Sequence, residues 1–72
     1  PKMGFGVPID SWLRGPLFKW SEALLEENLI RGDGYLKYEE IKKIWLEHQS
    51  GKYNHHLVLW NILMFQIWLQ SQ

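Results

Sequence analysis

The chain has no cysteine among its 72 residues, so neither a disulfide framework nor a thiolate metal site can reinforce it. That leaves His48, His55 and His56 as its only nitrogen ligands for a metal. The lack of cysteine fits a cytoplasmic origin. There is no excess charge of either sign: eight basic and eight acidic side chains cancel. This removes the electrostatic footprint of a nucleic-acid binder or a polybasic membrane segment. No Lys, Arg, Asp or Glu follows Lys52. Even so, the uninterrupted apolar runs fall short of the roughly 18 residues that a membrane-spanning helix requires. At this length a domain hides only about 60% of the surface of its unfolded chain, so each buried side chain matters. What the chain does have is tryptophan: five of them, more than a solvated surface of this size would use, which places several in a core or an interface.

Residues 1–9 read as a loop, since Pro8 biases Val7 toward extended geometry and Gly4 and Gly6 permit unusual backbone angles. An oily loop of this kind is shaped to connect packed neighbours, and we expect it to lead out of a larger body. Asp10 or Ser11 can cap a first short helix that Gly15 ends, and Pro16 suits the first turn of a second. The second helix carries Leu17, Trp20 and Leu24 on one stripe and should fray near Asn28. Gly32, Asp33 and Gly34 then favour a turn, with Leu29 and Ile30 anchoring a short helical turn on the core. The spacing of Ile41, Ile44, Trp45 and His48 predicts a helix over 38–49, with Glu39 and Glu40 at its positive end and Gly51 beyond its tail. Asn54 caps a last helix in which eleven of the thirteen residues from Leu57 to Leu69 are apolar. Only Asn61 and Gln66 interrupt it, so it expects cover on several sides. The fold class is all-α: three main helices plus short helical turns.

Three chemical signatures fail on inspection. In LIRGDGYLKYEE, Asp33, Gly34, Leu36 and Glu40 match half of a calcium loop, but Leu29 and Arg31 stand where its first two carboxylates belong. The Arg31-Gly32-Asp33 triplet is too short to carry meaning alone. His55 and His56, being adjacent, point about 100° apart on a helix and do not share a metal. Trp20 and Trp45 sit at core spacings, and no nucleophile elbow or phosphate-binding glycine loop is present. The motifs contain no complete active site and no metal site.

Four separated blocks, KMGFGVPIDSWLRGPL, a helix with LL and glutamates, IWLEHQSGKYNHH and LWNILMFQIWL, occur in an order that resembles the carboxyl end of the synthetase domain of glutamine-hydrolysing asparagine synthetases. The resemblance is nearest to a bacterial branch that includes relatives associated with surface polysaccharide biosynthesis. It implies that residues 1–72 are the helical portion of a larger α/β ATP pyrophosphatase-type domain, with 1–9 a loop from the core and 10–72 the helical extension. It also implies a parent that uses ATP and Mg2+ to adenylate the side-chain carboxylate of aspartate, or a related acid, and then amidates it with ammonia from glutamine. One site residue carries over: Lys2, three positions before Phe5, matches a lysine of the family that sits over the phosphates and the reacting acyl centre. The amino-terminal cysteine and the pyrophosphate loop of such enzymes are absent here, so these residues alone should be inactive and need no cofactor of their own. The implied partner is the remainder of the synthetase domain, with self-association through Trp and Leu faces when it is missing; neither nucleic acid nor membrane is expected. The contrasting reading is an independent helical module that binds a partner helix in a tryptophan-rich groove.

Overall fold

In the computed structural model, which describes residues 8–72, every regular element among those residues is helical. Five helices follow in order: α1 (Ile9–Arg14), α2 (Phe18–Leu24), α3 (Glu27–Asp33), α4 (Tyr38–Gln49) and α5 (His56–Gln70). The all-α expectation holds. The three short helices fold round the two longer ones: α1 packs on α2, α4 and α5, while α2 also meets α5, and α3 meets α4. Leu13, Leu25, Ile30, Ile41, Trp45, Leu59 and Leu63 form the core, one or two from every stretch of the chain. Burying a side chain of this kind stabilises by about 1.5–3 kcal/mol, and so small a core has few to spare.

Local chemistry accounts for the boundaries, and corrects several expectations. Positions 1–7 of the expected loop lie outside the described residues. Helix α1 begins at Ile9, one residue earlier than expected; Pro8 precedes it without a side-chain cap, and Asp10 lies in the first turn, where it favours the helix dipole instead of capping. Gly15 does end α1, its N–H donating to the Trp12 carbonyl. Pro16 falls in the turn before α2. That helix stops at Leu24 and does not run to Asn28, because the Glu26 carboxylate accepts from the backbone N–H groups of Asn28 and Leu29 and starts α3. Gly32 and Asp33 continue α3, and the turn belongs to Gly34 alone, in the left-handed region at φ 78°. Gly51 plays the same part after α4 at φ 82°. At α5 the capping position is His55, one residue later than expected, although Asn54 still accepts the His56 N–H at 3.1 Å.

The stripe of α2 is displaced by one residue. Ser21 goes fully inside and Trp20 stays 38% exposed at the edge, its ring 6.4 Å from that of Trp60. A serine lets a helix approach its neighbour closely, whereas an indole in that position would hold it off. Trp45 is buried as expected and packs on Phe18 at 5.5 Å. Among the described residues, no helix is long and apolar enough to cross a membrane.

Candidate functional site

Lys2, the one site residue expected from the sequence, lies outside the described residues, as do Gly4 and Gly6. What the structure does describe is how the segment just after them is anchored. The carbonyl of Asp10 accepts from Nε2 of His48 at 3.0 Å. The other ring nitrogen, Nδ1, accepts the backbone N–H of His55, also at 3.0 Å. These two bonds fix His48 as the neutral tautomer carrying its proton on Nε2. The ring is fully buried, and burial above all pushes its pKa below the ordinary histidine value, with Arg14 and His55 acting in the same direction.

Two helix ends satisfy each other beside this ring. Arg14 at the tail of α1 donates from Nε to the His48 carbonyl at 2.6 Å, and from its terminal nitrogen to the Tyr53 carbonyl at 3.1 Å. In return, Gln49 at the tail of α4 donates to the Leu13 carbonyl at 3.0 Å. The last carbonyls of a helix have no partner within it, so a cation and an amide from a crossing helix meet a real need, and Arg14 also suits the negative end of α4. Sequence reasoning gave Asp10 and Arg14 no part in this. The arrangement ties the tails of α1 and α4 together.

The signatures set aside earlier resolve into structural roles. Arg31 pairs with Glu27 at 2.7 Å and with Glu39, and lies over the Tyr38 ring at 5.3 Å. Its hydrogen bond holds the Glu39 carboxyl below its usual value. Asp33 accepts from Gln70 at 3.0 Å, which draws the tail of α5 to the end of α3. His55 bonds Glu47 at 2.8 Å and His56 bonds Asn54 at 2.7 Å. Among the described residues, no group of three or more His, Cys, Asp or Glu could hold a metal ion. A cleft of about 390 Å³ opens between α2, α3 and α4, floored by Leu25, Tyr38, Trp45 and Leu46 and edged by Glu22 and Lys42. Glu26 and Glu27 also line it, but both carboxylates are engaged, one in capping α3 and the other with Arg31.

Comparison with known proteins carries the assignment. The asparagine synthase family model matches residues 1–70. Asparagine synthetase (glutamine-hydrolysing) 1 of Bacillus subtilis is 28% identical over 67 residues, which is 93% of this chain and 10% of the relative. A provisionally named glutamine-hydrolysing asparagine synthetase of Mycobacterium bovis is 33% identical over 69 residues, 94% of this chain and again 10% of the relative. A Mycobacterium tuberculosis protein of the same name matches to the same extent. No solved structure gives a significant match. The chain thus spans about a tenth of the length of the curated relatives it matches. Because the family model matches residues 1–70, nearly the whole chain and all five helices, the chain belongs to the asparagine synthase family.

Proposed function

We propose that this chain is the helical portion of the synthetase domain of a glutamine-dependent, asparagine synthetase-like ligase, and that it supports the reaction without performing it alone. The observation that carries this reading is the family match over residues 1–70. In the proposed reaction a carboxylate of aspartate or a related acid attacks the α-phosphorus of ATP, and pyrophosphate leaves. Ammonia released from glutamine then attacks the acyl-adenylate, AMP departs with the bonding pair, and a proton is lost to give the amide. Both steps pass through states with added negative charge. An ammonium held close by in a water-poor site stabilises such states, and Lys2 is the catalytic residue of this reading. In this reading ATP and Mg2+ are held by the rest of the polypeptide.

The contribution of residues 8–72 is then mechanical. The His48 ring pins the start of α1 at Asp10, eight residues after Lys2, and the Arg14 and Gln49 side chains pin its tail, to the body of the bundle. The test is an assay of the polypeptide as its gene encodes it, following AMP and pyrophosphate release that depends on aspartate and on glutamine or ammonia. The wild type should turn over, Lys2→Ala should lose about 100-fold or more in kcat, and the 72-residue chain alone should release nothing. An encoded polypeptide that cleaves ATP with no carboxylate substrate would sink the reading.

A further inference from the structure

The two amides that interrupt the last helix part company in the fold. Gln66 is fully buried and donates to the Leu24 carbonyl at 2.9 Å, closing the tail of α2. Asn61 lies on the other side of α5, exposed. At 3.6 residues per turn, Leu57, Asn61, Met64 and Trp68 fall within an arc of about 60°, opposite the buried line of Leu59, Leu63 and Gln66. Leu57 is 67% exposed and Trp68 57%, and the flanking Val58 and Ile67 are exposed as well. Spacings of four, three and four, apolar at every position but one, are those of a seam that receives another helix. A single amide in such a seam costs stability and fixes register, because it needs a polar partner once covered.

We infer that this outer face of α5 is a docking face, covered by an apolar, helical surface of the remaining part of the same synthetase-type polypeptide, and that Asn61 sets its register by bonding a polar group there. The inference rests on the reading under Proposed function and names the surface through which the chain joins its parent. The relatives it matches are about ten times as long, so a large body of the polypeptide is available to supply the cover. Two features favour that occupant over a second copy of this chain. The seam has four positions, fewer than two heptads, where a free-standing coiled coil uses three to four. A tethered surface, held at high effective concentration, needs no more than this. In addition, α5 carries no Lys, Arg, Asp or Glu with which to steer a diffusing partner.

The test places a cysteine on the face and follows its alkylation, resolved by peptide mass spectrometry. Met64→Cys, with Leu57→Cys as a second probe should the first fail to fold, is compared in the polypeptide as the gene encodes it and in the 72-residue chain. Labelling at least about tenfold slower in the former supports docking. Asn61→Leu should then speed that labelling about tenfold in the encoded polypeptide and leave the 72-residue chain unchanged. Equal rates in both overturn the docking face, as does protection that rises with the concentration of the 72-residue chain, which would mark a second copy as the occupant. Unchanged protection in Asn61→Leu overturns the register role. AMP release measured on the same samples separates the two ideas: an active ligase with a freely labelled face sinks only the docking, whereas a protected face without ligase activity sinks the reading on which it rests.

Discussion

His48 holds two hydrogen bonds that only a neutral imidazole can make together, one donated to Asp10 and one accepted from His55. Its folded-state pKa lies below the usual value of 6.5, with Asp10 and Arg14 of α1 and the neighbouring His55 as the facing titratable groups. The sign follows from linkage. Above about pH 6.5 the ring is neutral in both states and its stabilisation is complete. As pH falls further, the unfolded chain takes up the proton first, so stability is lost progressively down to the folded-state pKa. Urea unfolding across pH 5 to 8 should show this slope for the wild type and lose most of it in His48→Gln. His48→Ala, which removes packing and leaves the His55 N–H unpaired, should cost about 2–4 kcal/mol at pH 7.5. The spacing of Ile41, Ile44, Trp45 and His48 made the inward direction of this ring legible in the sequence. Its partners were not legible, because Asp10 stands 38 residues away and offers a backbone carbonyl, a group that every residue carries.

Helices taken one at a time show where local rules decide and where they yield. α4 was legible from end to end, since periodicity, first-turn acids and Gly51 agree. α2 and α3 were read as one helix plus a turn because Glu26, an ordinary helical residue by propensity, turns its carboxylate back on the next backbone amides. The two glycines of the RGDG stretch should respond in opposite senses. Gly32 is helical with open space where a Cβ would go, so Gly32→Ala should raise stability by about 0.5–1 kcal/mol. Gly34 has equal room but a left-handed backbone, and Gly34→Ala should lower it by about 1 kcal/mol. Thermal denaturation of the two variants side by side checks the pair, and a gain from both would contradict the assigned end of α3. At the candidate site the sequence indicated a family and a lysine, whereas the contact between α1 and α4 emerges only when helices distant in sequence cross.

At the scale of the whole fold, the described residues extend 36 × 27 × 17 Å, a slab with a radius of gyration of 12.3 Å. The chain's formal charge of zero at pH 7 leaves little mutual repulsion between copies, and the large apolar side chains of α5 stand partly in solvent. The 72-residue chain by itself should therefore bind hydrophobic dyes and be least soluble near pH 7.4, its sequence pI. Replacing Met64 and Trp68 together with Lys should cut dye binding several-fold while leaving the far-ultraviolet helical signal in place, because neither residue belongs to the core. A compact monomer that ignores the dye before any substitution would contradict the exposed face.

The exchange of side chains between Arg14 and Gln49 has a kinetic corollary. Each reaches from the tail of its own helix to a carbonyl in the last turn of the other, so neither tail can unravel without releasing its counterpart. Amide protons at the ends of α1 and α4, far apart in the chain, should therefore trade with deuterium at matching rates, as the two halves of one hinge pin withdrawn together.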